Sequence, residues 1–576
     1  MVTVAREIER KYEPTSGAKA GASPRGKLRA VPDAPPAAPA PAGRVAADPV
    51  ALPDLAGLPG VASVEPVPPV ALDAVYFDTP GLRLAAAGVT LRLRTGHGPD
   101  EDGWQLKLPG AETDGRDEIR AAAAPGELAF AAEAGAAPPL PPLPPEELAR
   151  LVRARVRDQA LLPVARIRTA RSRTRLLDRA GRPLAEIALD RVSGRPLGPS
   201  DPTTLSGTAT EPLTWTEIEV ELAERTPARD GVRLLDAVEQ RLTAAGLRRS
   251  DAPSKLARTL GGRPGAAPTA DGKKGSTKGP RKPAKPTAAD AVLAHLAAHT
   301  ERLLALDPEV RRGRPDAVHR MRVAARRLRS TLRAYRKVLD PAATDALVAD
   351  LRLLGAELGA ERDQEVLAAR LRKGAAGLPT DLLLGPVRAR LRAWEVAQAE
   401  DGRRRTLDLL DSPRYLAMLD RLDALLVRPP LTGTAGKPAA KVLRSALERE
   451  HRRVGARYRK ALAAAPAARD AALHDVRKAA KRARYAAEAA EPVLGKPARR
   501  YRKAMKGVQQ LLGEQHDTVT ARRTLRTLGV QAHLAGENGF SYGLLHAAEA
   551  ARAARAEHEL PEAMARVGKA ARNAVS

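Results

Sequence analysis

VAREIERKY, residues 4–12, decides how the first half of the chain is read. Side chains along a strand alternate between two faces, so Glu7, Glu9 and Lys11 share one face and Ile8 lies on the other. The spacing returns in LRLR (Arg92, Arg94) and in WQLKLP (Gln105, Lys107). RIRTARSR carries Arg166 and Arg168, then Arg171 and Arg173. AEIALD carries Glu186 and Asp190, and TEIEVEL carries Glu217, Glu219 and Glu221. Leu91, Leu93, Leu106, Ile187, Leu189, Ile218 and Val220 lie between these charges. Each strand therefore has an apolar face and an ionic face. An antiparallel sheet with one wet face shows such alternation, but here some strands are purely acidic and others purely basic. A closed barrel with a polar lumen explains that segregation. Carboxylates on one wall would hold a divalent metal through oxygen, and Arg and Lys on the other would grip phosphates.

The chain has 576 residues, 97 Lys+Arg and 68 Asp+Glu, for a net charge of +29. The surplus is uneven: +1 in residues 1–260, +6 in 261–289 and +22 in 290–576. A self-repelling cationic half points to a polyanionic partner. Aromatics are only 2% of the residues, which argues against base-stacking platforms. With no Cys, disulfides, thiolate metal sites and cysteine nucleophiles are excluded. No signal peptide or membrane span is visible, so the expected location is cytoplasmic. GGRPGAAPTADGKKGSTKGPRKPAKPT (261–287) reads as a flexible basic linker, and an Ala/Pro-rich run at about 15–49 as a disordered insertion. PPLPPLPPEE (138–147) is a stiff break before a helix near 146–159. After the linker, segments 317–339, 342–373, 387–411, 440–464, 470–491 and 498–528 are rich in Ala, Leu and Arg with Gly or Pro at their ends, and read as helices. The fold class is α+β multidomain, with a strand-rich domain at 1–260 and an all-helical one at 290–576.

The strand motifs resemble a known family. EIERK (7–11) is similar to the ExExK signature of the CYTH superfamily, the triphosphate tunnel metalloenzymes. YFDTPGLRLAAAGVTLRLR (76–94), WQLKLP (104–109), RDE (116–118), AEIALD (185–190), TEIEVEL (216–222) and SKLAR (254–258) follow in the family's order. The resemblance implies an eight-stranded antiparallel tunnel that binds a triphosphate with Mg²⁺ or Mn²⁺. By the same resemblance Glu7, Glu9, Glu217 and Glu219 are metal-binding acids, with Glu186 and Asp190 in a second-metal or water-positioning role. Arg92, Arg94, Lys107, Arg168, Arg173, Lys255 and Arg258 form the phosphate grip. Lys11, with Tyr76, helps activate water, and a Lys among many cations is expected to have a depressed pKa.

In the helical half, VHRMRVAARRLRSTLRAYRKVL (318–339) recurs as LHDVRKAAKRARYAAEAAEPVL (473–494). His319 aligns with His474, Arg322 with Arg477, Arg326 with Lys481 and Arg329 with Arg484. Helical spacing places each set on one face. LGAERD (358–363) echoes LGEQHD (512–517), pairing Gly359 with Gly513 and Asp363 with Asp517, so the region reads as an internal duplication. The two acids are expected to orient the His or Arg residues. The pattern resembles the CHAD family, conserved-histidine alpha-helical domains, over about 290–560. That resemblance implies a double four-helix bundle whose halves face each other across a basic groove that binds inorganic polyphosphate.

Three functions compete. The leading one is a metal-dependent triphosphatase acting on inorganic triphosphate or a small organic triphosphate, with a polyphosphate-docking domain. The second is a non-catalytic polyphosphate-binding protein. The third is a nucleic-acid-binding protein, suggested by a pI near 10.7 but lacking any reader motif. Adenylate cyclisation also occurs on the tunnel fold and stays open.

Overall fold

In a computed structural model of the chain, the described residues are 3–15, 50–96, 98, 101–110, 115–124, 126–128, 142–197, 211–223, 226–261 and 285–575. The expected insertion beyond Thr15 and most of the expected linker lie outside them. The chain divides into two compact units, residues 1–274 and 275–576. No helix among the described residues is long and apolar enough to cross a membrane.

In the first unit, β1 (Thr3–Pro14), β2 (Ser63–Asp78), β3 (Thr90–Thr95), β4 (Gly103–Pro109), β5 (Gly115–Ala121), β6 (Leu162–Leu177), β7 (Pro183–Pro196) and β8 (Leu213–Leu222) form an antiparallel sheet in the order β5-β4-β3-β2-β6-β7-β8-β1. β1 closes it into a barrel. Its first half pairs with β5 (Glu7 opposite Arg116), and its second half with β8 (Lys11 opposite Glu219). A short β9 (Leu247–Arg249) extends the far end of β1.

Alternation fixes what each face meets. Val75, Phe77, Leu91, Leu93, Trp104, Leu106 and Ile119 point outward and are covered by α1 (Arg83–Ala86) and α2 (Glu146–Val156) through Leu84, Leu148 and Val152. Ile187, Leu189, Ile218 and Val220 are covered by α3 (Ala228–Ala244) through Leu234, Leu235, Val238 and Leu242. The apolar faces thus lie under helices, and the ionic faces are left to line the interior. The five-residue α4 (Lys255–Thr259), capped by Ser254, packs Leu256 among Tyr76, Ile167, Val192 and Trp215.

The second unit is helical: α5 (Ala288–Arg311), α6 (Ala317–Ala334), α7 (Pro341–Ala376), α8 (Val387–Leu410), α9 (Pro413–Val427), α10 (Ala439–Leu462), α11 (Pro466–Leu494), α12 (Lys496–Leu534) and α13 (Phe540–Val575). Thr287 and Asp290 make a capping box at α5, and Asp340–Pro341 and Ser412–Pro413 start α7 and α9. One bundle comprises α5, α6, α7 and α9, and the second comprises α10 to α13. α8, read from the sequence as a helix at 387–411, stands outside the two four-helix bundles. It lies along the far half of α7, where Leu367, Leu371 and Leu391 join Leu525, Leu528 and Leu545 of α12 and α13. The two duplicated basic helices, α6 and α11, contact each other directly.

The seat of α4 gives a stability prediction. A Cβ added at Gly194 on β7 would lie 2.3 Å from Thr259 Oγ1 and 3.2 Å from its Cβ, so rotation of Thr259 alone does not fully relieve the crowding. Gly194→Ala is expected to destabilise the barrel by about 1–3 kcal/mol, and a second change, Thr259→Ala, to restore part of the loss. Denaturant unfolding followed by the fluorescence of Trp104 and Trp215 measures both.

Candidate functional site

The barrel encloses a cavity of about 490 Å³. β1 contributes Glu7, Glu9 and Lys11 to its wall, and β8 contributes Glu219 and Glu221. Arg92 and Arg94 come from β3, Lys107 from β4, Arg116, Glu118 and Arg120 from β5, Arg171, Arg173 and Arg175 from β6, and Glu186 from β7. Tyr76 and Lys255 also face it.

These charges meet in two groups. In the first, Lys107 donates to Glu7 at 2.6 Å and lies 3.8 Å from Glu118, which Arg120 holds at 2.6 Å. Glu118 is almost fully buried. Burial works against its charge, but Lys107, Arg92 and Arg120 outweigh it and hold the carboxyl down to about 2. Burial and the neighbouring acids win at Glu7, whose carboxyl is raised, and push Glu221 up to about 7. Burial and the adjacent Arg92 bring the Arg94 guanidinium down to about 10.

In the second group, oxygens of Asp190, Glu217 and Glu219 all lie within 4.8 Å of one another. Arg171 clamps Asp190 with Nε to Oδ1 at 2.8 Å and Nη2 to Oδ2 at 2.7 Å, and reaches Glu219 Oε2 at 2.5 Å. Trp215 Nε1 donates to Glu217 Oε2 at 2.6 Å. Lys11 Nζ donates to Glu219 Oε1 at 2.8 Å and lies 3.5 Å from Glu9. Burial disfavours the Lys11 charge, but Glu219 and Glu9 prevail and raise its pKa. The expected depression of Lys11 is therefore corrected: Glu219 and Glu9 outweigh both burial and the neighbouring Lys255. Tyr76 accepts a hydrogen bond from Arg92 at 3.1 Å. Burial would raise its pKa, but Arg92 lowers it.

Most of the residues read from the sequence line this interior; Asp190 and Glu217 are buried beside its wall, paired with Arg171 and Lys255, and Arg168 and Arg258 do not reach it. Arg168 lies on the outer face, 54% exposed and paired with Asp73 at 3.0 Å. β6 and β7 pair without interruption from Arg168 to Thr174, so alternation sends Arg171, Arg173 and Arg175 inward and Arg168 out. Arg258 lies outside the cavity wall, where it pairs with Glu13 at 2.6 Å and stacks 5.2 Å over the Trp215 ring. Glu118, Arg171 and Glu221 join the site beyond the expected set. The parity of Arg171 with Arg173, and of Glu221 with Glu219, is the signal in the sequence that finds two of them.

In the helical unit the stripes of α6 and α11 face each other around Tyr485. Arg326 Nε donates to its hydroxyl at 2.9 Å, and Arg484 lies 4.4 Å over its ring. Arg322 pairs with Asp363 at 2.8 Å, and Arg477 lies 4.0 Å from Asp517, so the duplication extends to its ion pairs as expected. The echoed glycines have a use here. A Cβ at Gly359 would lie 3.2 Å from the Arg322 guanidinium carbon, and one at Gly513 3.7 Å from Arg477 Nη2. His474 Nδ1 is 3.3 Å from His516 Nδ1, and His319 is half-buried at the start of α6. Burial, then Arg477, Arg326 and Arg322, bring Lys481 down to about 7, and burial and neighbouring cations lower Arg329.

Comparison with known proteins matches residues 50–260 to the CYTH domain and 294–526 to the CHAD domain. β1 precedes the first match, although it closes the barrel. Two uncharacterised proteins of Mycobacterium tuberculosis, from strains CDC 1551 / Oshkosh and ATCC 25618 / H37Rv, are each 36% identical over 531 residues, covering 91% of this chain and 94% of theirs. Among solved structures, the CHAD domain of the plant Ricinus communis is 30% identical, with a TM-score of 0.40 over 49% of this chain and 92% of that one. PptA from Streptomyces chartreusis is 21% identical, with a TM-score of 0.41 over 48% and 99%. The chain therefore belongs to the CYTH and CHAD families, joined in one polypeptide, and CYTH members are metal-dependent phosphoryl-transfer enzymes.

Proposed function

We propose that the barrel is a metal-dependent triphosphatase acting on inorganic triphosphate or a small organic triphosphate, and that the helical unit binds inorganic polyphosphate. The observation that carries the first part is the meeting, in one barrel, of a largely buried three-carboxylate cluster with inward-pointing Arg92, Arg94, Lys107 and Arg173. Three clustered carboxylates suit a hard cation that takes oxygen ligands, and Asp190, Glu217 and Glu219 would hold it. A bound divalent ion supplies charge neutralisation at phosphoryl oxygens, which is most of what this chemistry needs. The chain's own groups do the rest. The arginines of β3 and β6 grip phosphate oxygens as forks and fix the substrate along the cavity. Lys11, held cationic by Glu9 and Glu219, positions water and offsets charge that develops on phosphate oxygen. Water attack on the terminal phosphorus breaks the phosphoanhydride bond and releases orthophosphate and a diphosphate. Ring closure of a nucleoside triphosphate would release pyrophosphate without orthophosphate, so phosphate release across several triphosphates, with and without Mg²⁺, separates the readings. A chain that only captures phosphate would release neither.

For the helical unit, the carrying observation is the facing pair of cationic stripes from α6 and α11, with few aromatics to stack a base. Arg forks and Lys point charges grip a base-free phosphate strand.

Glu217→Gln with Glu219→Gln is expected to lower Mg²⁺-dependent phosphate release at least a hundredfold. Near wild-type turnover at limiting Mg²⁺ would remove the metal assignment. Neutralising Arg322, Arg326, Arg477 and Lys481 together should weaken polyphosphate binding by roughly a hundredfold or more, about 2.7 kcal/mol, while barrel hydrolysis is unchanged. Fluorescence titration with long-chain polyphosphate reads the first effect and a phosphate-release assay the second.

Lys481 adds a pH dependence. In the unliganded chain burial and neighbouring cations hold it near 7, and a bound polyanion raises it. Binding therefore takes up a proton, and affinity rises several-fold as pH falls from about 8 to 6. His474 and His516, held below the usual range by burial first, charge only at lower pH. Lys481→Met should flatten the profile between pH 6 and 8, and an unchanged slope would refute the link.

A further inference from the structure

The centre of the acidic cluster holds a side chain. Lys255 Nζ lies 2.7 Å from Glu217 Oε1, 2.7 Å from Glu219 Oε1 and 2.9 Å from Asp190 Oδ2, and the side chain is only 8% exposed. These are the three residues whose oxygens converge within 4.8 Å. The ammonium sits among them more as an ion than as a directional donor. Its contact with Glu219 is a hydrogen bond, but Glu217 Oε1 is buried and makes none.

The triad is also held in place from outside. Trp215 fixes the other oxygen of Glu217 at 2.6 Å, and Arg171 clamps Asp190 through both of its oxygens. The carboxylates therefore have little need of Lys255 for their position. Its presence meets a need of charge, since three acids drawn out of water require a cation at their centre. A divalent ion would meet that need with shorter bonds, about 2.0–2.1 Å for Mg²⁺. Two cations cannot share the space, because each repels the other at contact distance in a poorly screened interior.

We propose that Lys255 and the divalent metal are alternative occupants of one site, so that the lysine is an internal competitor that the metal must displace. This rests on the metal-dependent reading of the barrel above. Lys255 belongs to α4, which is seated against β7 through Thr259 at Gly194, but its ammonium sits on a flexible four-carbon stem and the side chain also borders the cavity. Displaced from the acids, the ammonium moves to where substrate phosphates lie. Metal entry is then helped by phosphate and phosphate binding by metal. The free protein holds metal weakly, and the site assembles fully only with a phosphate chain present.

The test is Mn²⁺ binding to the full chain without any phosphate, measured by electron paramagnetic resonance of the unbound ion. Lys255→Met is expected to bind Mn²⁺ on the order of tenfold more tightly than wild type, in contrast to the weaker binding expected if the lysine merely supports the site. Three acids without a cation can hinder folding, so Lys255→Gln, neutral but still able to donate, is measured beside it with the same expectation. Adding Glu217→Gln to each variant should abolish the gain, which assigns it to this cluster. Equal or weaker Mn²⁺ binding in the folded variants, with measurable binding in wild type, overturns the competition and leaves the metal reading standing. Mn²⁺ binding by neither wild type nor variants removes the metal reading, and the competition with it.

Discussion

Charge pairing inside a closed barrel is the constraint on which the rest of the first unit depends. Glu7, Glu118, Asp190 and Glu217 are buried and Glu219 is nearly so, and each lies against a Lys or Arg from another strand or from α4. A buried acid left alone would neutralise or destabilise the fold, whereas a paired one is tolerated. The pairing in turn requires the strands to keep strict register, because a slip of one residue would turn every interior charge outward. The helices over the outer faces enforce that register. They reward only the phase in which Leu91, Leu93, Ile187 and Ile218 point out.

The architecture of the barrel is legible in the sequence because its alternation is nearly unbroken, and the several strands whose ionic face carries one sign balance only when a closed wall brings them face to face. The roles inside it are less legible. Arg168 and Arg173 look alike in the sequence, yet they stand an odd number of positions apart, five, and an uninterrupted strand places them on opposite faces. Arg171 carries the parity that the interior needs. An overall surplus of cations suggests a depressed Lys11, but a pKa answers to the nearest charges, and these are Glu9 and Glu219. Arg258 sits three residues beyond Lys255, yet its pairing with Glu13 and Trp215 depends on where β1 and β8 cross the end of α4. No local pattern encodes such a meeting of distant segments.

In the helical unit the duplication exposes the two stripes, the Asp that accompanies each and the Gly that leaves room for each Arg. Tyr485 is hidden for the opposite reason: the first copy has Ser330 in its place, so comparison of the copies discards it. A single fully buried phenol then serves both halves, bonded to Arg326 of one and stacked on Arg484 of the other.

This substitution makes the paired surface directional. One side has Arg322 closely bound to Asp363, and the other has the looser Arg477–Asp517 pair beside two imidazoles. A strand of identical phosphates has no direction of its own. Bound as proposed, it would lie either way round with the same contacts, and it could advance by one phosphate without losing any. Under the proposed function, fit to the strand's orientation would add nothing to recognition, and the surface would measure how many consecutive charges reach it, so that length would take the place of sequence.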